Sequence, residues 1–356
     1  MIDEVLARVR KGNILKNSEI IYLLSRRDQA SLEKIFAQAR AVREKNFGGK
    51  IFSYGFVYFS TYCRNDCAFC LYRRSHTSLP RYRKSDREIL EASRLLAASG
   101  VNLIDLTMGE DAGYLENSER LAALTAAVKS ASGLPVMVSP GLPDDRMIDA
   151  LRAAGADWLA LYQETHRREL FAKRRLGQSF DARMQAKQRA AAAGLLIEEG
   201  IMAGFGETLR DHAESFVQMR ALGAMQVRSM TFVPQKGTPM QGVKAADNIM
   251  ELLDIAVMRL LFPDRLIPAS LDVEGLSGLE KRLLAGANVI TSLIPPDEGL
   301  AGVSQWEKDI KEGGRTRWSV TPVVEKCGLK MASSEEYRVW MESAKEKQAQ
   351  ALLAVI

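Results

Sequence analysis

The chain has 356 residues, 47% hydrophobic and 26% charged, which is ample apolar material for a large core. Its formal charge of +5 is small for this length, and the basic stretch YRRSHTSLPRYRKSDR (Tyr72–Arg87) reads as one solvated face with a few anion-binding side chains. No nucleic-acid partner is expected. No uncharged run is long enough to span a bilayer, because Asp254 and Arg259 interrupt LLDIAVMRLLF, and the start MIDEVLARVRKGN lacks the apolar stretch of a signal peptide. A cytoplasmic, reducing setting is therefore expected, where closely spaced cysteines bind metal or do redox chemistry. Three histidines are too few for a site built on imidazole.

In chain order, residues 1–50 read as a helical extension. Leu32, Ile35, Phe36, Ala39 and Val42 recur at helical spacing, and NFGGK supplies a glycine stop. A repeat follows, in which a helical stretch ends at glycine and an apolar strand starts at once. The glycines are Gly100, Gly155, Gly194, Gly223 and Gly286. With three further strands this gives eight candidates near 51–60, 101–107, 135–139, 156–162, 195–203, 224–232, 265–271 and 287–294. Eight alternating βα units predict an α/β fold, a (βα)8 TIM-type barrel over 51–302, with a C-terminal helical cap over 303–356. The alternative is an open doubly wound sheet, but AGFGET (Ala203–Thr208) lacks the third glycine of a dinucleotide turn.

A barrel of this kind carries its site at the C-terminal ends of the strands. Those ends hold Cys63–Cys70, Asp105–Asp111, Ser139, Gln163–Glu164, Gly204–Glu207, Arg228, Ser270–Asp272 and Thr291–Ser292. Cys63, Cys67 and Cys70 form C-x3-C-x2-C, three thiolates able to hold three corners of a cubane iron–sulfur cluster and leave one iron open. A zinc knuckle completed by Cys327 or a histidine is the alternative, and would make the protein a metal-binding sensor rather than an enzyme.

With an aromatic residue, Phe69, before the last cysteine, this motif resembles the signature of the radical S-adenosylmethionine (SAM) superfamily. TMGED (Thr107–Asp111) is similar to the family's glycine–glycine–glutamate motif, with Met108 in place of the first glycine; GIMAGFGE (Gly200–Glu207) is similar to its G-x-I-x-G-x-x-E motif, with Met202 for isoleucine. FVYFSTYCRNDCAFC, ALYQET, LGQSFDAR, MTFVPQKGTPM, RLIPASLDVEG and AGANVITSLIPPD together resemble the methylornithine synthases, radical SAM enzymes of the biotin-synthase-like group. Sulfur insertion is disfavoured, since only Cys327 remains for a second cluster.

The resemblance implies isomerisation of L-lysine to 3-methyl-D-ornithine by a 5′-deoxyadenosyl radical, the first step of pyrrolysine biosynthesis. It also implies a [4Fe–4S] cluster on Cys63, Cys67 and Cys70, SAM as cofactor, a low-potential electron donor such as ferredoxin or flavodoxin, and a monomer. Phe69, Gly109, Glu110, Ser139, Glu164, Arg175, Arg183 and Met202 are expected around SAM, with a solvated helix face as the alternative for both arginines. Asp105, Arg228, Ser270 and Asp272 are expected around lysine, with an Arg228–Asp272 ion pair as the structural alternative. A cofactor maturase of the same group is the second functional expectation.

Overall fold

The computed structural model describes residues 1–295 and 314–353. The expected boundary at 302–303 and the end of TSLIPPD lie outside the described residues. Eight parallel strands surround one lumen: β1 (Lys50–Ser60), β2 (Leu103–Met108), β3 (Val136–Ser139), β4 (Trp158–Ala160), β5 (Leu196–Ala203), β6 (Gln226–Thr231), β7 (Pro268–Ser270) and β8 (Val289–Leu293). Their order is β6-β5-β4-β3-β2-β1-β8-β7. The ring closes between β6 and β7 at the N-terminal end alone, through the Gln226–Leu266 bridge and the bonds Val227 N→Leu266 O and Leu266 N→Met225 O, both 3.0 Å. The barrel expectation holds, although β4 and β7 are shorter than their apolar runs because the flanking residues leave the ladder for loops. A ninth strand, β9 (Lys330–Met331), pairs with the start of β1 and was not expected from so polar a segment.

The connections follow from local chemistry. The five repeat glycines all have positive φ; at Gly100 (φ 89°) and Gly286 (φ 114°) the chain turns at once from helix to strand. The helix after β1, α1 (Asp86–Ser99), starts in a capping box in which Glu88 accepts from Ser85 N (2.7 Å) and Ser85 accepts from Glu88 N (3.4 Å).

Strand alternation splits the apolar residues into two populations. Outward residues such as Val57, Ile104, Leu106, Val138 and Ile197 pack under the helices. Inward residues Phe52, Tyr54, Leu103, Met137, Trp158 and Leu196 fill the floor of the barrel. The floor is closed from below by the last helix, α2 (Ser334–Leu353): Tyr337 meets Phe52 and Tyr54 edge-on, its hydroxyl lies 3.0 Å from that of Tyr54, and Trp340 stacks on Trp158 at 6.0 Å.

The apolar run at 249–261 is a helix buried nearly throughout, under the N-terminal helices. Its charges are each answered. Glu251 accepts from Arg282 Nε (2.6 Å), Asp254 from Ser229 Oγ (2.6 Å), and Arg259 donates to the carbonyls of Gly286, Phe262, Pro263 and Arg265. Among the described residues no helix is long and apolar enough to cross a membrane.

If the floor is sealed by α2, Tyr337→Ala should lower unfolding free energy by about 3–5 kcal/mol. Val339→Ala, on the exposed face of the same helix, should change it by less than about 0.5 kcal/mol. Urea unfolding followed by circular dichroism reads both, and equal stabilities would refute the sealing role.

Candidate active site

The cysteine loop is held close to the tip of β2. Gly109 N donates to Ser60 O (2.9 Å) and Arg64 N to Glu110 O (3.0 Å). A Cβ on Gly109 would lie 2.3 Å from Tyr62 O and 3.0 Å from Cys63 Cβ, so the glycine of TMGED is what lets the two loops touch. Its neighbour Asp111 braces the same junction, accepting from Ser60 Oγ (2.6 Å) and bidentately from Arg83 (2.7 Å each). Met108, in the place of the family's first glycine, packs into the core.

Around the sulfurs the surroundings are apolar. Cys67 and Phe69 pack with Leu170, Met202, Phe205 and Phe232; Cys70 packs with Phe56, Tyr58 and Tyr72 on another side. Burial pushes the Cys63 and Cys70 thiols up, and neighbouring Cys67 adds to both shifts. Two donors reach the buried Cys67 Sγ, Gln178 Nε2 at 3.0 Å and Arg175 Nη1 at 3.8 Å. N–H donors aimed at a sulfur inside an apolar cup suit a thiolate that ligates iron. Among the described residues no three His, Cys, Asp or Glu side chains converge on a single ion. Single-ion convergence is what a zinc knuckle demands; a cubane takes each thiolate on its own iron. Cys327 precedes β9, which pairs with the start of β1, and lies at the opposite end of the barrel from the loop. The knuckle through Cys327 is thus set aside.

Next to the loop lies a connected set of charges. Glu164 has φ 66°, rare outside glycine, and is held there by ladder bonds from its own N to Gly200 O and from Met202 N to its O, 3.0 Å each. Behind it, Glu199 accepts from Gln163 N (2.7 Å) and Gly200 N (2.8 Å) and pairs with Lys187, whose cation outweighs burial and holds the Glu199 carboxyl down at about 2. The Glu164 carboxylate meets Arg175 Nη2 at 2.7 Å. Arg175 and Arg183 both donate to Tyr162 O (3.0 and 2.7 Å), and Arg183 Nη1 reaches Glu110 at 3.4 Å. Glu110 also accepts from Leu142 N (3.0 Å) and rests on Gly141, where a Cβ would come 1.9 Å from its Cγ.

Glu110, Glu164, Arg175, Arg183 and Phe69 therefore share one neighbourhood beside Cys67, the Arg175 guanidinium lying 5.5 Å over the Phe69 ring. Both arginines are buried, so the solvated-face alternative is wrong for both. Among the described residues the buried Nε atoms of Arg175 and Arg183 have no partner. An array of fixed charges with spare donors is suited to a zwitterionic cofactor. Gly109 and Met202 act as spacer and apolar wall. Ser139, on β3, donates weakly to Ala160 O (3.4 Å) and is not part of the charge network. The motif glutamate Glu207 caps Gly204 N (2.7 Å) and Phe205 N (2.6 Å) and contacts His212 at 3.0 Å. Burial alone would lower the His212 pKa; Asp254 and Glu207 outweigh it and push it up to about 10. His212 Nδ1 lies 3.0 Å from Asp254 Oδ2 without hydrogen-bond alignment, so this contact is a charge pair. The motif thus folds the loop after β5.

A second set of charges lines the lumen above the floor. Arg228 Nε donates to Glu198 Oε1 (2.9 Å) and its guanidinium lies 5.3 Å over the Tyr162 ring, whose hydroxyl donates to Glu198 Oε2 (2.9 Å). Gly200 makes room, since a Cβ there would meet Tyr162 at 3.0 Å. Asp272 accepts from Ser270 Oγ (2.9 Å), Ser292 Oγ (2.7 Å) and Arg315 Nη1 (3.0 Å). The alternative of an Arg228–Asp272 ion pair does not hold among the described residues; Arg228 pairs with Glu198 and Asp272 with Arg315. Among the described residues Asp105 accepts only from Thr107 Oγ1 (2.9 Å), and burial, helped by the Glu198 charge, pushes its carboxyl up to about 7. Glu198, Tyr162, Arg315 and Gln178 were missed by the sequence reading.

Residues 57–217 match the radical SAM superfamily. The chain is 42% identical over 335 residues to the 3-methylornithine synthase of Methanosarcina barkeri, covering 94% of this chain and 95% of that one. It is 30% identical to the [FeFe] hydrogenase maturase subunit HydE of Thermotoga maritima, over 75% and 77% of the two chains. The crystal structure of a methylornithine synthase (PylB) superposes with a TM-score of 0.90 at 42% identity, covering 94% of this chain and 99% of that one. The chain belongs to the 3-methylornithine synthase family within the radical SAM superfamily.

Proposed function

We propose that this protein isomerises L-lysine to 3-methyl-D-ornithine, the opening step of pyrrolysine biosynthesis. Beyond family membership, one observation carries the reading: the charge inventory of the lumen. Asp105, Glu198 and Asp272 face Arg228 and Arg315, three carboxylates against two guanidinium groups. The excess of one negative charge matches lysine, which carries two ammonium groups and one carboxylate. Charges in so dry a space must be compensated, so the pocket selects a cationic amino acid over a neutral or anionic one.

When bound, a reduced [4Fe–4S] cluster and SAM would supply the hydrogen-abstracting chemistry of a 5′-deoxyadenosyl radical, which no protein side chain can provide. Cys63, Cys67 and Cys70 would hold the cluster, with Gln178 and Arg175 donating toward Cys67. Glu110 and Glu164 would meet the amino group and ribose of SAM, and Arg175 and Arg183 its carboxylate. Phe69, Gly109, Ser139 and Met202 would shape the space between. In the lumen, Asp105 would take the distal ammonium, Arg228 with Ser270 the substrate carboxylate, and Asp272 the α-ammonium. Glu198 and Tyr162 keep Arg228 in place. The aromatic floor and the apolar cup exclude water, which keeps a reactive carbon centre from side reactions. A small low-potential electron-transfer protein of the ferredoxin or flavodoxin type would supply the electron, and the enzyme would act as a monomer in the cytoplasm.

Three outcomes test the reading. Anaerobically reconstituted protein given SAM, a reductant and lysine should form methylornithine, detected by mass spectrometry; 5′-deoxyadenosine appearing while lysine stays intact would contradict the mutase assignment. Arg228→Lys keeps a cation opposite Glu198 but loses the planar fork, so kcat/KM for lysine should fall about 10- to 100-fold with cluster absorbance unchanged.

The third outcome concerns pH. Asp105 has its pKa raised to about 7, so it is protonated below that value and cannot pair an ammonium. Substrate capture should therefore strengthen as pH rises through about 7. The step should be visible in kcat/KM, which reports the free enzyme, and much weaker in kcat. Asp105→Asn should remove the step; a profile with the same step in that variant would refute the role.

A further inference from the structure

Arg315 follows the barrel in sequence, yet its side chain belongs to the lumen. Its carbonyl accepts from Ile294 N at 2.9 Å, which lays the returning chain across the end of β8. Its side chain is 6% exposed, and Nη1 is fixed at 3.0 Å by Asp272 Oδ1. Asp272 is in turn fixed by Ser270 and Ser292. Ser292 sits at φ 67°, which places its hydroxyl on Asp272 at 2.7 Å. Every element of this arrangement orients the guanidinium, yet its other edge is idle: Nε and Nη2 are buried and have no partner among the described residues.

That edge is chemically specific. Nε–H and the outer Nη2–H of a guanidinium run parallel, and a carboxylate accepts both at once. Buried donors left unmatched are costly, which argues for a ligand that fills them. Arg228 offers a poorer fork, because its own Nε is already given to Glu198. Asp272 also lies within electrostatic reach of Arg228, which brings both cations to one region of the lumen. Thr291, whose buried hydroxyl likewise has no partner among the described residues, pairs with Ser270 in the β7–β8 ladder.

We propose that Arg315 is a substrate-binding residue whose Nε–Nη2 edge grips the amino-acid carboxylate side-on, with Asp272 holding the guanidinium in register and Arg228 assisting from its Nη end. The assignment rests on the lysine reading above and refines it: the selecting feature becomes an α-carboxylate at a fixed distance from the ammonium held by Asp105. Plain diamines of the same length would be rejected.

The test measures binding, so that it is separate from turnover. Cluster-reconstituted, SAM-loaded protein is titrated calorimetrically with L-lysine and with 1,5-diaminopentane, which keeps both ammonium groups and lacks the carboxylate. The wild type should bind lysine at least about 10-fold more tightly than the diamine. Arg315→Lys and Arg315→Gln should each weaken lysine about 10- to 100-fold and leave diamine affinity within about threefold, with cluster absorbance retained. Lysine affinity unchanged in both variants would overturn the role of Arg315 while sparing the lysine reading. Wild-type protein that binds the diamine as tightly as lysine would overturn it without any variant, should the variants not fold. Wild-type protein that binds neither would overturn the functional reading and this assignment together.

Discussion

A parallel barrel is a poor place for charge, and that cost organises this molecule. The lumen lies above an aromatic floor, in a medium where an uncompensated ion is expensive and an ion pair is tolerated only with good geometry and further hydrogen bonds. Here the charges come as anchored pairs. Glu198 is held by Arg228 and Tyr162, and Asp272 by Arg315 and two serines. What is left over after pairing, among the described residues, is one carboxylate, Asp105, and two sets of guanidinium donors, the Nε–Nη2 edge of Arg315 and the Nη end of Arg228. A ligand that completed those remainders would satisfy the charge the fold leaves open.

Tyr162 links the two halves of the site. Its carbonyl accepts from Arg175 and Arg183 on the side of the cysteine loop, while its hydroxyl supports Glu198 and its ring underlies Arg228 in the lumen. Two residues on, the left-handed backbone at Glu164 turns that carboxylate toward Arg175, and the buried Glu199–Lys187 pair on the outer face of β5 stabilises the turn. The charge network beside the cysteine loop and the charges of the lumen are therefore one hydrogen-bonded unit around β4 and β5. Such coupling suits chemistry in which a reactive carbon generated on one side must meet the substrate carbon on the other without drift.

Much of this was legible in the residues. The C-x3-C-x2-C spacing, the helix–glycine–strand repeat and the strand-end positions of Asp105, Arg228, Ser270 and Asp272 need only local rules. The partners were not legible, for identifiable reasons. Glu198 and Glu199 are adjacent, and only the phase of β5 sends the first into the lumen and the second out to Lys187. Tyr162 lies beyond the last ladder residue of β4, so alternation alone does not assign its ring. Arg315 is distant in sequence from everything it touches. Gln178 sat within the quoted LGQSFDAR segment, but nothing in the sequence indicates that its amide reaches Cys67. Arg175 caps the end of one helix and Arg183 lies in the first turns of the next, positions where charge usually means solvent; their burial follows from the packing of that segment over the loop.

On this reading the lumen is a negative mould for zwitterionic lysine, oriented by Asp105 at one end and the guanidinium groups of Arg315 and Arg228 at the other. A crystal structure of the anaerobic protein with SAM and lysine tests this most directly. The account predicts the distal ammonium within hydrogen-bond distance of Asp105 and the carboxylate on the guanidinium edges of Arg315 and Arg228. Lysine found in the reverse orientation, or found only outside the barrel, would contradict it.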